Sequence, residues 1–195
     1  MNKLIKHWQR DNVNTGTTTK LLSSFTKFKT KNFVYAQQVH SNKVVVVTNK
    51  DSGKTVKGAD GLITNSDNLC LVIYTADCIP VFFYEPVKKI IALVHAGRKG
   101  SLINISGSTV KEMVKLGANV NKIKVHLGPH ICKNCYEIDL ASVNINQLTS
   151  LNILRSNISL TDYCTYEDKE LFYSYRREKP KNREFDEMIS YITLK

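Results

Sequence analysis

The stretch LCLVIYTADCIPVFFYEPVKKIIALVHAG, residues 69–97, decides the fold of this chain. It contains three strongly apolar runs, at residues 69–74, 80–84 and 89–94, whose Val, Ile, Phe and Tyr content is typical of buried strands. The intervening YEPVKK reads as a turn, which predicts a hairpin between the second and third runs. Cys78 lies just before this hairpin and His95 just after it, so we expect the two side chains to meet.

A third polar donor closes another apolar run. His40 ends the segment FVYAQQVH, residues 33–40. Donors at strand ends can converge at one edge of a sheet, and sulfur and imidazole are the ligand types that zinc prefers. His40, Cys78 and His95 therefore predict either a three-ligand zinc site or, from Cys78 and His95 alone, a nucleophilic Cys/His pair.

The remaining patterns predict one domain of the α+β class. Further strands are indicated by apolar or alternating runs at residues 33–39, 43–47, 122–127, 158–164, 171–175 and 185–193. Two helices are predicted, over residues 101–116 with Gly117 as the stop, and over residues 140–151 with Asp139 as the N-cap. We expect a mixed α/β sandwich with one large mixed sheet and a few helices, formed by residues 33–195 and preceded by a short N-terminal segment, residues 1–32.

The composition of the chain limits the kinds of molecule that it is expected to bind. The chain has 195 residues, a hydrophobic share of 42% and a net charge of +11. The positive charges are spread along the chain without a nucleic-acid-binding motif, so we expect no nucleic-acid partner and an attraction to small anionic substrates instead. No run approaches the roughly 20 apolar residues of a membrane span. The N-terminus lacks the apolar core of a secretory signal, which favours a cytoplasmic protein.

The five cysteines are predicted to be reduced thiols. An odd count without a secretory signal argues against a disulfide framework. Cys132 and Cys135 form a CxxC pair, which alone, without a second pair of ligands, is a weak metal signal.

Several cationic side chains are candidates for binding an anion. Arg98 and Lys99 stand between two glycines directly after His95 and before the first predicted helix. Arg176 belongs to the basic cluster YSYRR, residues 173–177, which suits phosphate or carboxylate. His130, in the turn after the strand at residues 122–127, is a further candidate that could approach the site.

Two carboxylates could support the chemistry. Asp77, beside Cys78, could orient a metal ligand or act as an acid or base. Asp60, in the segment KGADG, is equally well explained as a residue that shapes a turn.

A series of ordered motifs carries a family resemblance. They are QVH at residues 38–40, ADG at 59–61, TADCIPV at 75–81, HAG at 95–97, LGPHI at 127–131, CYE at 135–137, CT at 164–165, SYRR at 174–177 and Arg183. Together they resemble the YfiH/laccase-domain family, once called multicopper polyphenol oxidases. The resemblance covers about residues 33–192, most of the chain.

The resemblance implies a fold, a metal and an activity. The fold is a mixed α/β sandwich, and the metal is a zinc ion whose His, Cys and His ligands map to His40, Cys78 and His95. The activity is that of a purine nucleoside phosphorylase, sometimes with adenosine deaminase activity, so the expected partners are a nucleoside and phosphate. A bacterial branch is similar to peptidoglycan editing factors, which act on a cell-wall precursor.

The chain departs from the family pattern at its glycine-rich loop. The family usually has HAGWRG, whereas this chain has HAGRKG, with Arg98 for Trp and Lys99 for Arg. Lysine keeps the charge but loses the two-pronged geometry of arginine, so anion binding is expected to be weaker or altered. The chain is also shorter than its relatives on both sides of the predicted site.

Four functions follow from these observations. The leading one is a zinc-dependent purine nucleoside phosphorylase, with Cys78, His95 and Asp77 as catalytic residues and Arg98, Lys99, Arg176 and His130 as the phosphate and substrate group. The others are a metal-free Cys/His hydrolase or amidase acting on a cell-wall precursor, a copper-dependent polyphenol oxidase, and an inactive binding module. Copper is the less favoured metal because an oxygen-reducing cluster needs several further histidines, and the chain has only five. The oligomeric state stays open.

Overall fold

The computed structural model describes residues 4–8, 12–22, 32–179 and 186–195. Within them the strands are β1 (Leu4–Lys6), β2 (Val13–Thr18), β3 (Phe33–Ala36), β4 (Val44–Val46), β5 (Thr55–Val56), β6 (Gly61–Thr64), β7 (Cys70–Thr75), β8 (Ile79–Glu85), β9 (Ile90–Ala96), β10 (Lys124–Leu127), β11 (Ile158–Leu160) and β12 (Met188–Leu194). The helices are α1 (Arg98–Leu102), α2 (Ile105–Lys115), α3 (Leu140–Ser150) and α4 (Tyr175–Glu178).

The strands form two six-stranded mixed sheets. Sheet A has the order β1-β2-β12-β7-β3-β5, and sheet B has the order β11-β10-β8-β9-β6-β4. One apolar core lies between the two sheets, where Leu71 and Ile73 of sheet A pack with Phe82 and Leu93 of sheet B. A second core lies between sheet B and the helices and contains Val94 with residues of α2 and α3. The order of layers is therefore helices, sheet B and sheet A.

The predicted α+β class and the predicted hairpin are confirmed. β8 and β9 pair antiparallel with Pro80 opposite His95, and every residue of both strands is buried. Such continuous burial requires cover on both faces of the sheet. The structure supplies that cover with helices on one side and a second sheet on the other, so the one large sheet that we predicted is in fact two.

The predicted helix over residues 101–116 is wrong in its continuity. Helix α1 already begins at Arg98, and the chain breaks at Asn104 before α2 starts. Asn104 has a φ of 67°, and its side chain accepts a hydrogen bond from the backbone N–H of Gly107 at 3.1 Å. An asparagine in the left-handed region that caps the next helix interrupts one helix and starts another. The second helix is confirmed, with Asp139 as its N-cap.

Strand prediction was least accurate near the N-terminus, in polar segments and over residues 158–175. Residues 171–174 form no strand and lead into α4, which begins at Tyr175, and the strand that begins at residue 158 ends at Leu160. Ser174 caps α4 by accepting a hydrogen bond from the backbone of Arg177 at 3.2 Å. Strands β1, β2, β5 and β6 were not predicted because they are short or rich in Thr and Gly. Phe185 lies outside the described residues.

The N-terminal strands belong to sheet A. β2 pairs with β1 on one side and with β12 on the other, and β12 in turn pairs with β7. Among the described residues, no helix has the length and apolar character that crossing a bilayer requires.

Candidate functional site

A large cleft opens where the predicted site residues meet. Its volume is about 1840 Å³, more than the roughly 300–1,000 Å³ of common small-molecule pockets. Five of its lining residues are tyrosines, namely Tyr35, Tyr74, Tyr136, Tyr166 and Tyr175. The rings of Tyr35 and Tyr74 are nearly parallel, with centroids 5.9 Å apart. The cleft thus offers flat aromatic surfaces beside polar groups, which is the composition of a ligand-binding site.

The three predicted metal ligands lie together on the wall of this cleft. One donor atom from each of His40, Cys78 and His95 lies within 4.8 Å of the other two. A tetrahedral zinc site with such ligands places its donors roughly 3.3 to 3.6 Å apart, so the three residues are spaced to hold one ion after small side-chain adjustments. The rings of His40 and His95 meet edge to face, with centroids 4.8 Å apart.

Strand geometry accounts for two of these ligands. Cys78 immediately precedes β8, and His95 lies near the end of β9 opposite Pro80. His40 lies in the loop after β3, a strand of the other sheet. The site therefore sits at the edge where sheet A and sheet B come together, and it draws on the hairpin that the sequence predicted.

Gly97 provides the space for this arrangement. A Cβ at position 97 would lie 2.9 Å from the Cys78 sulfur and 3.0 Å from Cδ2 of His40. Real Cβ atoms essentially never approach other heavy atoms that closely, so a larger residue would displace two of the three ligands. The glycine of the HAG motif is explained by this contact and not by backbone strain, because its φ is −77°.

Asp60 is the carboxylate that fixes the ligands in place. Nδ1 of His95 lies 2.9 Å from Oδ1 of Asp60, which leaves Nε2 of His95 as the nitrogen that a metal could use. Asp60 also accepts hydrogen bonds from the backbone N–H groups of Val39, His40 and Ser41 at 3.1, 2.9 and 2.7 Å. One fully buried side chain thus holds the ring of one ligand and the backbone of another.

The backbone at His40 is held in an unusual conformation. His40 has a φ of 59° and Gln38 has a φ of 62°, both in the left-handed region. Gln38 is clamped by Tyr74, whose N–H donates to its side-chain oxygen at 2.8 Å and whose carbonyl accepts from its side-chain nitrogen at 2.6 Å. Left-handed non-glycine residues cost about 1–3 kcal/mol each and concentrate at functional sites. The contacts of Gln38 and Asp60 offset that cost here.

Cys78, His95 and Asp60 are linked by hydrogen bonds, and each shifts the pKa of its neighbour. Burial by itself would raise the pKa of Cys78, but the hydrogen bonds and charges of His40 and His95 outweigh it and lower that pKa to about 7. Burial would likewise lower the pKa of His95, whereas Asp60 and Cys78 raise it to about 9. Burial opposes ionisation of Asp60 as well, yet bonds from His95 and Ser41 hold its pKa at about 2. The thiol is thereby prepared to act as a thiolate.

Asp77 lines the cleft, and both of its carboxylate oxygens are engaged in hydrogen bonds. Its Oδ1 accepts a hydrogen bond from Thr165 at 2.7 Å, and its Oδ2 accepts from the Ser174 hydroxyl at 3.0 Å and the Arg176 N–H at 2.7 Å. Asp77 has a φ of 87°, and its carboxylate contacts the N-cap and the first turn of α4. Its carboxylate positions that segment, while the ligand-orienting carboxylate is Asp60.

The predicted cations line the cleft, whereas His130 does not. Arg98 and Lys99 are exposed in the first turn of α1. Arg176 pairs with Glu137 at 2.9 Å and lies over the ring of Tyr136 at 5.2 Å. His130 is buried, and its Nδ1 donates to the carbonyl of Gly128 at 2.8 Å, so it is absent from the described lining of the cleft.

Sequence reasoning missed the roles of two acidic residues. Asp60 was left open between a supporting carboxylate and a residue that shapes a turn, because the strand β6 that follows it and pairs with β9 was not recognised. Glu187 precedes β12 and lines the cleft near His40 and His95. No sequence pattern singled it out, because Glu187 lies inside the strand predicted over residues 185–193, whereas the observed strand begins one residue later. Arg183, part of the family motifs, lies outside the described residues.

Comparisons with known sequences found one matching family pattern and several relatives that are named purine nucleoside phosphorylases. The sequence pattern of the family described as multi-copper polyphenol oxidoreductase laccase matches residues 4–141 and 136–195. The purine nucleoside phosphorylase YlmD of Bacillus subtilis (strain 168) is 32% identical over 202 residues, covering 85% of this chain and 72% of that protein. A purine nucleoside phosphorylase of Borreliella burgdorferi is 34% identical over 179 residues, covering 76% of each.

Solved structures share the whole fold. The crystal structure of the hypothetical protein YfiH of Bacillus licheniformis superposes with a TM-score of 0.90 at 25% identity, covering 100% of this chain and 97% of that one. The structure of YlmD from Geobacillus stearothermophilus gives a TM-score of 0.87 at 22% identity, covering 100% of both chains. Both crystal structures therefore share the fold of this chain over its full length.

Proposed function

Since the chain belongs to the multi-copper polyphenol oxidoreductase laccase family, as its YfiH/laccase-domain motifs predicted, we propose that it is a metal-dependent purine nucleoside phosphorylase. The observation that carries the proposal is the convergence of His40, Cys78 and His95 on the wall of a tyrosine-lined cleft with cations at its edge. Two relatives bear the name of this activity, which supports the same reaction here.

Zinc is the metal that suits this set of donors. Two imidazoles and one thiolate are zinc ligands, and three protein ligands leave a fourth position open, as in catalytic zinc sites. When bound, the ion would act as a Lewis acid that polarises an oxygen of phosphate or water. The chain contributes the rest: Asp60 fixes the tautomer of His95, and Gly97 leaves room for the ligands.

Copper-dependent phenol oxidation, which the family's description suggests, is poorly supported by the other histidines. An oxygen-reducing copper cluster needs several histidines in addition to a His₂Cys site. His7 and His126 pack against each other at 4.5 Å beside a separate small cavity, and His130 is bonded to a backbone carbonyl. These three side chains are therefore not placed to complete such a cluster at the cleft.

The cations at the cleft would bind the phosphate co-substrate. Arg98 and Lys99 are exposed on one side, and Arg176 reaches in from another while paired with Glu137. A phosphate dianion offers stronger charge-assisted hydrogen bonds than one carboxylate, so it would take over the guanidinium of Arg176 from Glu137. Lys99 replaces the arginine usual in relatives, so phosphate binding relies more on Arg98 and Arg176.

The reaction also needs a group that manages the proton of the departing base. A phosphate oxygen forms a bond to C1′ of the ribose, the bond from C1′ to the purine nitrogen breaks, and the purine takes up a proton. Glu187 is our candidate for this role, because it lines the cleft with His40 and His95 and because burial raises the pKa of its carboxyl despite the opposing charges of those two histidines. We assign this role to Glu187 in preference to Asp77, whose two carboxylate oxygens accept three hydrogen bonds, and to His130, which is not among the described residues that line the cleft.

The test is phosphate-dependent cleavage of inosine and adenosine by the Cys78→Ala variant. We expect release of the base to fall to background, because the sulfur ligand is gone. The matched control is Cys70→Ala, which removes a buried thiol that does not belong to the described lining of the cleft, and which should keep its activity. Undiminished phosphorolysis by Cys78→Ala protein would refute the proposed site.

A second candidate function rests on the same residues without a metal. Cys78, His95 and Asp60 form a nucleophile, base and orienting carboxylate in series, the arrangement of a cysteine hydrolase or amidase. Such an enzyme could act on an amide of a cell-wall precursor. Alkylation of Cys78 by iodoacetamide decides between the two, since bound zinc protects the sulfur in the phosphorylase, whereas a hydrolase is labelled whether or not zinc is present.

Two further measurements test the remaining alternatives. Ammonia released from adenosine would reveal the deamination that the family resemblance implied. Bound zinc with no product from any nucleoside would identify the chain as a binding module.

A further inference from the structure

A second group of metal-type ligands lies outside the cleft. Cys132, Cys135, Cys164 and Glu167 bring three sulfur atoms and one carboxylate oxygen within 4.8 Å of one another. None of the four belongs to the described lining of the cleft. Cys164 is buried, Cys132 and Cys135 are half-buried, and Glu167 is exposed. The CxxC pair, a weak signal in the sequence, thus acquires a third thiol and a carboxylate in the structure.

Hydrogen bonds hold these sulfur atoms together. The backbone N–H of Cys135 donates to the carbonyl of Cys132 at 3.0 Å, which closes the CxxC into a turn. The N–H of Cys132 donates to the Cys164 sulfur at 3.2 Å, and the two sulfurs are 2.9 Å apart. The Cys135 sulfur lies 3.5 Å from a carboxylate oxygen of Glu167. Backbone donors directed at sulfur stabilise the thiolate, the form that binds metals.

None of the four side chains carries a positive charge. Three thiolates and a carboxylate at one point would repel one another without a cation among them. A divalent cation reverses this, because coordination deprotonates a thiol outright.

We propose that Cys132, Cys135, Cys164 and Glu167 together bind one zinc ion. Three thiolates and a carboxylate complete a tetrahedron, so no position is left for substrate and the site is structural. Binding releases the three thiol protons to solvent. The ion joins the loop after β10 to the segment after β11. These two segments also supply Tyr136 and Tyr166 to the cleft.

A disulfide between Cys132 and Cys164 is the competing use of these thiols. It would require an oxidant and would leave Cys135 and Glu167 facing each other without a common partner. The convergence of four donors, rather than two, favours the metal. The inference does not depend on the proposed phosphorylase activity, because the metal can be counted without any catalytic assay.

The test is a zinc count on protein that lacks the first site. Cys78→Ala protein, purified with a reductant and verified as folded by circular dichroism, is expected to retain about one zinc ion per chain. Adding Cys135→Ser should remove that ion, whereas adding Cys70→Ala should leave it. Adding Glu167→Gln, an exposed substitution that does not threaten folding, should weaken zinc retention against a chelator by about tenfold.

Cobalt supplies a second readout on the same proteins. Cobalt-loaded Cys78→Ala protein should show intense thiolate-to-metal charge-transfer absorption that the Cys135→Ser change reduces. The proposal is overturned if Cys78→Ala protein is folded but free of zinc, or if zinc survives the loss of Cys135. An intact mass that shows a disulfide between Cys132 and Cys164 in the reduced preparation would also overturn it.

Discussion

The two cysteine-containing clusters of this protein are built in opposite ways. The first, His40, Cys78 and His95, stands where strands of two sheets end, with three donors that face a large cleft. The second, Cys132, Cys135, Cys164 and Glu167, is carried entirely by loops and has four donors outside the cleft. Three ligands on a rigid frame leave a position for chemistry, whereas four ligands on loops leave none and can only hold the loops together.

The difference extends to what supports each cluster. The first relies on a buried carboxylate, Asp60, and on left-handed backbone at His40 that costs free energy. The second relies on backbone N–H groups and a tight turn, and its residues carry no such strain. Backbone strain is therefore found at the cluster whose geometry would govern a reaction, and not at the cluster whose metal would only join two segments.

The largest effect that separates the clusters is expected from Asp60→Asn. Asparagine cannot replace all the acceptor contacts of the carboxylate, so both His95 and the His40 loop lose their orientation. In a Cys135→Ser background, where only the first site can bind, zinc affinity should fall by about 10–100-fold in chelator competition. In a Cys78→Ala background the same change should leave the second site unaffected.

Asp51→Asn is the matched control for Asp60→Asn. Asp51 also accepts a backbone hydrogen bond, from Thr48 at 3.0 Å, but it caps a surface turn away from both clusters. Zinc affinity should be unchanged. An equal loss from both substitutions would mean that the contacts of Asp60 do not govern the first site.

A smaller effect is expected from Gly97→Ala. The added methyl group would lie 2.9 Å from the Cys78 sulfur, and overpacking of this kind costs about 1–3 kcal/mol. Zinc binding at the first site should weaken roughly tenfold while the fold persists, measured by competition titration and circular dichroism. Gly53→Ala tests the opposite case: nothing lies within 4 Å, but φ is +79°, so stability should fall without a change in zinc affinity.

The smallest effect concerns the loops themselves. Removing zinc from the second site in a Cys78→Ala background should lower the melting temperature by several degrees, at about 2–4 °C for each kcal/mol lost. It should also expose residues 131–136 and 161–174 to proteolysis. Removing zinc from the first site alone, as in Cys78→Ala protein that keeps its second zinc ion, should leave those segments protected. Equal cleavage in both cases would erase the distinction between a catalytic and a structural cluster.

Part of this architecture can be predicted from local sequence patterns. The apolar runs at residues 69–94 are long enough, and the turn between the last two is clear enough, to predict the hairpin and the meeting of Cys78 with His95. Gly117 and Asp139 predicted helix ends for the same reason, because stops and caps are local. The break at Asn104 was missed because its left-handed conformation is not encoded by apolar periodicity.

Contacts between segments that are distant in sequence could not be predicted from such patterns. Asp60 reaches His95 across 35 positions, and Cys132 meets Cys164 across 32. Neither separation repeats with the period of a strand or a helix. Both contacts depend on strand order, in which β6 lies beside β9 and β10 beside β11, and strand order is a property of the folded sheets. The second cluster was therefore visible in the sequence only as a CxxC without partners.

The position of β12 in sheet A sets an order of events during synthesis. This strand lies between β2 and β7, so it joins the early strands β1 and β2 to the remainder of their sheet, although it leaves the ribosome after every other described strand. Sheet B needs nothing beyond β11 and can assemble on the nascent chain. Sheet A closes only afterwards, and until then the apolar face of sheet B that it will cover is a surface for chaperones to protect.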